Sequence, residues 1–122
     1  MSNRELESHL AKIEFNGALE DISRAVSSGF NLGEFVSNVP VLLGYEDFNF
    51  SLSTTTGKYF VKVYSSARSD DECAGLIDVV SEALKAGART PGLYTSDQGG
   101  QLHDLVLNGS NLRLCVMEHV DG

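Results

Sequence analysis

The chain has no tryptophan, two prolines and two cysteines in 122 residues, and its nine basic side chains are outnumbered by seventeen acidic ones. Each scarcity excludes something. With a formal charge of −8 and no basic cluster, there is nothing to neutralise a phosphate backbone, so nucleic acid is not an expected partner. No apolar run approaches the ~20 residues that span a bilayer, and the N-terminus, MSNRELESHL, lacks the apolar core of a signal peptide. A cytoplasmic protein with no membrane partner is expected. Two lone cysteines, Cys73 and Cys115, make neither a metal motif nor a disulfide framework and are expected as reduced, buried thiols. His9, His103 and His119 share no metal-ligand spacing, and the Ser, Cys and His positions define no nucleophile–base pair. No catalytic residue and no metal ligand are therefore assigned.

The composition, 42% hydrophobic and 21% charged, is that of an ordinary globular chain. Its length supports one core and is short for a two-lobed enzyme. The most informative stretch is Gly44–Tyr64, GYEDFNFSLSTTTGKYFVKVY. Phe48, Phe50 and Leu52 alternate with Asn49, Ser51 and Ser53, the period of a half-buried strand. The run Thr54-Thr55-Thr56-Gly57 then predicts a hairpin reversal. On the returning arm Phe60, Lys62 and Tyr64 share one face, and Tyr59, Val61 and Val63 the other. A lysine among strand apolars either snorkels to water or meets an anion.

Before this hairpin, spacing predicts helices near 3–14, with Ser2 and Glu5 as a capping box, and near 17–28, ended by Gly29 in the left-handed conformation. Asn31 and Glu34 are expected to cap a third short turn carrying Phe35 and Val36. The run Val39–Leu43 reads as a short strand, which Pro40 places at an edge. After it, Ser69 and Glu72 have capping-box spacing ahead of a helix near 70–86 whose apolar stripe is Cys73, Leu76, Ile77, Val80 and Leu84, with Gly87 at its end. Leu93-Tyr94, Leu102–Leu107 and Leu112–Val120 read as strands, with a turn at Asp97–Gly100 and a hairpin at Asn108-Gly109. The class is α+β: an antiparallel sheet of about five strands, one packed helix and additional N-terminal helices. A helical segment, 1–37, and a sheet-and-helix unit, 38–122, are expected to share one compact domain.

The succession GYEDFNF, YFVKVY, a helix opening on an acid, LKAGARTP and LCVMEHVDG resembles, over about residues 35–122, the N-terminal lobe of the aminoglycoside phosphotransferase, choline kinase and homoserine kinase superfamily. These are kinase-like, ATP-dependent small-molecule phosphotransferases. The resemblance implies a kinase-like N-lobe that binds ATP. Lys62 matches the strand lysine that holds the α- and β-phosphates, oriented by a helix acid. Helical periodicity puts Glu72 about 80° and Asp78 about 160° from the centre of the apolar stripe, so Glu72 leans toward the sheet. The same Glu72 is also spaced to cap its own helix with Ser69, and both readings stand.

On the same resemblance Phe60 lines the adenine end of the cleft, Met117 sits at the back of it, and the backbone of Glu118 and Val120 faces the base. Asn49 lies in the loop-and-strand region over the phosphates. Asp47 stands where an asparagine is common, and repulsion from phosphate predicts that it points outward. The catalytic base and the acid that holds Mg²⁺ belong to a C-terminal lobe. This polypeptide is therefore expected to be a fragment, inactive alone, whose partners are nucleotide, the missing lobe and, through the face left uncovered, a second copy of itself. The alternative is a non-catalytic interaction or regulatory module with the same fold, in which Lys62 is a snorkelling surface residue.

Overall fold

Phe48, Phe50 and Leu52 are at most 1% exposed, while Asn49, Ser51 and Ser53 between them are half-buried, so the period-two pattern of this stretch is realised as a strand with one face in the core. The structure, a computed structural model, describes residues 3–41, 46–89 and 91–119. Its order is α1 (Asn3–Leu10), a 3₁₀ turn (Ala11–Ile13), α2 (Leu19–Gly29), β1 (Phe35–Val41), β2 (Phe48–Thr54), β3 (Gly57–Val63), α3 (Asp70–Lys85), β4 (His103–Leu107) and β5 (Ser110–Glu118). All five strands form one antiparallel sheet in the order β1-β2-β3-β5-β4. The fold is α+β, as the pattern of elements predicts. No helix among the described residues is long and apolar enough to cross a membrane.

The two sheet faces are covered unequally. One packs against the N-terminal helices through a core that includes Leu10, Ile22, Val26, Phe48, Phe50, Leu52, Val61, Val63, Leu112, Leu114 and Val116. A fully buried aliphatic or aromatic side chain of this kind contributes about 1.5–3 kcal/mol. The other face carries a smaller cluster, Tyr64, Cys73, Ile77 and Cys115, under α3. The helices and the sheet share this first core, which joins Leu10, Ile22 and Val26 to the strand residues.

Several turns follow the expected chemistry. Gly87, at φ 85°, ends α3 in the left-handed region, and Asn108 (φ 51°) with Gly109 (φ 79°) makes the two-residue reversal between β4 and β5. The edge position of β1 suits Pro40, which has no N–H to offer a neighbour.

Two expectations are corrected near the end of α2. Asn31 (φ 54°), not Gly29, takes the left-handed conformation. Gly29 is needed for space instead: a Cβ there would lie 3.0 Å from the His103 ring. There is also no helical turn at 31–36, because tertiary bonds outweigh the local cap. The hydroxyls of Thr54 and Thr56 both donate to the Leu32 carbonyl, and the Glu34 N–H donates to Thr55 Oγ1 at 2.9 Å. This lashes 31–34 to the β2–β3 turn and delivers Phe35 straight into β1. Ser2, Gly44, Leu42-Leu43 and Val120, which figured in the expected elements, lie outside the described residues.

His103 is 5% exposed, packs at 5.1 Å on Phe30, and its Nδ1 has no hydrogen-bond partner. Burial lowers its pKa below the ordinary 6.5, against a smaller opposing pull from Asp97 and Asp104. The folded state therefore binds the proton less readily than the unfolded chain. Stability should be flat above about pH 6.5 and should fall as pH drops below that value toward the folded-state pKa. In His103→Gln this component of the pH profile should vanish, as urea midpoints measured between pH 7.5 and 5 will show.

Candidate functional site

The side chain of Lys62 emerges from β3 on the face opposite the main core, flanked across the strands by Asn49 of β2 and Cys115 of β5. Since α3 crosses this face, the lysine lines a groove of about 210 Å³ between the sheet and Leu76, Ile77, Val79 and Val80. Asp47 and Arg68 stand at the same groove. Opposite Lys62, the Asn49 Oδ1 is buried without a hydrogen-bond partner, an uncommon state for a carboxamide oxygen.

Asp47 does not point outward. Its side chain is 10% exposed, and it accepts from the Ser65 N–H at 2.8 Å, from Arg68 Nε at 2.9 Å and from Arg68 Nη2 at 3.2 Å. Burial by itself would raise its pKa. The hydrogen bonds from Arg68 and Ser65, with the positive charges of Arg68 and Lys62, outweigh that and hold the carboxyl below its ordinary value. The expected repulsion from phosphate is answered inside the protein by a fork-shaped partner that satisfies both carboxylate oxygens. Neither the pattern around GYEDFNF nor the spacing to Arg68, 21 residues on, signals this pair.

Of the two readings of Glu72, the structure forms the cap. The Ser69 hydroxyl accepts from the Glu72 N–H at 3.1 Å and the Glu72 carboxylate accepts from the Ser69 N–H at 3.3 Å. Its other oxygen lies 4.0 Å from Arg68. No ion pair joins Lys62 to a described carboxylate. Local geometry decides this, because a carboxylate three residues from its N-cap reaches the cap without ordering a long-range partner. Replacing Ser69 with alanine should lower stability by about 1 kcal/mol and speed hydrogen exchange of the amides of residues 70–73 selectively.

Toward the far end of β5 the same face becomes apolar. Phe60 pairs with Met117 on one side and Ser51 on the other, and with Pro91, Glu118 and His119 they bound a cavity of about 390 Å³. Met117 also lines the Lys62 groove, so the two hollows adjoin. Phe60, Lys62, Asn49, Met117 and Glu118 are thus brought to one region; Glu72 is turned away into its cap, and Val120 lies outside the described residues.

No family model matches this chain, and no curated protein matches it significantly. What the site can do has to be read from its own atoms.

Arg113 escaped the sequence reading because it sits in the most apolar strand. It is 7% exposed, and its guanidinium donates to the carbonyls of Arg68 and Ser65 and, at 3.2 Å, to Asp70 Oδ1. The segment it holds, Ser65–Asp70, carries Arg68 and the α3 cap, so Arg113 fixes the wall of the groove from behind. Tyr64, whose hydroxyl lies 3.6 Å from Cys115 Sγ, has its pKa raised by burial and by that thiol. Burial likewise raises the pKa values of Cys73 and Cys115. Such thiols are packing groups and poor nucleophiles. Among the described residues no group of three or more His, Cys, Asp or Glu side chains could hold a metal ion.

Proposed function

We propose that this sheet face binds ATP, and that the chain is the ATP-binding lobe of a small-molecule phosphotransferase related to the aminoglycoside, choline and homoserine kinases. One observation carries the reading. A single sheet face places an apolar cleft, Phe60 and Met117 with Pro91, beside a groove lined by Lys62, with Phe60 and Lys62 two residues apart on one strand. That is about 7 Å along the strand, and it sets a ring-sized apolar surface next to a cation, the polarity of a nucleotide from base to phosphate. The unpartnered Asn49 Oδ1 lies opposite Lys62 and supplies an acceptor for a ribose hydroxyl. The described residues offer Mg²⁺ no set of three or more His, Cys, Asp or Glu ligands. Phosphate transfer itself is assigned to no described residue. The cytoplasm is its proposed location, on the two free, buried thiols.

A second reading, a non-catalytic interaction module, draws on the capped state of Glu72 and on Val36 and Val39, 58% and 62% exposed on the edge strand. Titration with Mg-ATP, followed by amide shifts, separates the two. The nucleotide reading expects perturbations at Asn49, Phe60, Lys62 and Met117; the module expects none there at millimolar ligand, with any shifts on adding a partner confined to β1.

A further inference from the structure

The linker from α3 to β4 passes beside the end of β5, and Glu118 grips it with both backbone and side chain. The Glu118 N–H donates to the Gly92 carbonyl at 2.9 Å and the Tyr94 N–H to the Val116 carbonyl at 2.9 Å, an antiparallel bridge centred on Leu93 and Met117. The Glu118 carboxylate then turns back and accepts from the Gly92 N–H at 2.8 Å. Gly92 is thus held at its N–H and its carbonyl by one residue. No positive φ requires glycine there; a Cβ would collide with the carboxylate oxygen itself. An acid at 118 and the absence of a side chain at 92 are two halves of one fitting.

The bond is made at an exposed side chain, where a single hydrogen bond adds little to global stability. Its effect is local. Pro91, adjacent to the clamped residue, is the wall of the apolar cavity that faces Phe60 and Met117. Proline's ring removes one backbone rotation, so fixing Gly92 fixes that wall and the width of the cleft.

We propose that Glu118 is a positioning residue for the nucleobase: its side chain sets the Pro91 wall at ring width and touches no reacting atom. This rests on the nucleotide reading above. Affinities of the full chain for adenosine and for inorganic tripolyphosphate, measured separately by amide-shift titration, test it. Glu118→Ala should weaken adenosine about fivefold, the weight of one ordinary hydrogen bond, and should leave tripolyphosphate unchanged. Glu118→Gln, which keeps an acceptor for the Gly92 N–H, should restore adenosine binding, and Gly92→Ala should reproduce the loss. In Glu118→Ala the Gly92 amide should also exchange faster. Unchanged adenosine affinity in Glu118→Ala, or equal weakening of both ligands, overturns the inference while the nucleotide reading stands. If the unaltered chain binds neither ligand, the nucleotide reading falls and the inference falls with it.

Discussion

Arg113→Ala should lose about 1–3 kcal/mol of stability, the cost of leaving the part-buried Arg68 carbonyl without its donor. The Ser65 carbonyl loses the guanidinium too but keeps the Arg68 N–H at 3.0 Å. Asp70, the third partner, is 86% exposed at its side chain and finds water instead. A domain of this size holds only about 5–15 kcal/mol in all, so thermal midpoints should fall by about 5–10 °C. Arg113→Lys should recover little of this, because an ammonium has no planar fork with which to reach both carbonyls and the carboxylate. Thermal unfolding of the two variants checks both statements. The groove should loosen as well, since Arg68, which anchors Asp47, rides on the segment that Arg113 holds.

The second large effect concerns ligand rather than fold. Lys62→Met keeps the apolar stem and removes the charge, and because Asp47 keeps both Arg68 hydrogen bonds when the smaller attraction of Lys62 is lost, its folding stability should stay within about 0.5 kcal/mol of the unaltered chain. Its affinity for Mg-ATP should fall about 10- to 100-fold, as a charge-assisted hydrogen bond of roughly 1.5–3 kcal/mol is lost. A fall in affinity with no fall in stability is the outcome a snorkelling surface lysine would not give.

The elements were legible wherever local chemistry settles them. Alternation around Phe50, the Asn108-Gly109 reversal, the Ser69–Glu72 capping box and the Gly87 stop all depend on residues a few positions apart. The face on which Lys62 lies was legible for the same reason. Failures came where a distant partner outbids a neighbour. Thr54 and Thr56 capture Leu32 from more than twenty residues away and turn an expected helical turn into the entry to β1. Asp47 is drawn inward by Arg68, and Arg113 is buried among loop carbonyls. Nothing in strand or helix periodicity encodes those distances. Glu72 shows the reverse case, in which the local bond wins over the long-range one that the family resemblance implies.

Lys62 is proposed to lie beside the phosphates of a bound nucleotide, and lysine-directed chemistry tests that contact most directly. An adenosine acyl phosphate transfers its acyl group to whichever amine its phosphates touch, and the chain offers Lys12, Lys58, Lys62 and Lys85. Peptide mapping should find the label concentrated on Lys62 and suppressed by excess Mg-ATP. Label spread evenly over the exposed Lys58 and Lys85, or label on Lys62 that ATP leaves untouched, would contradict it.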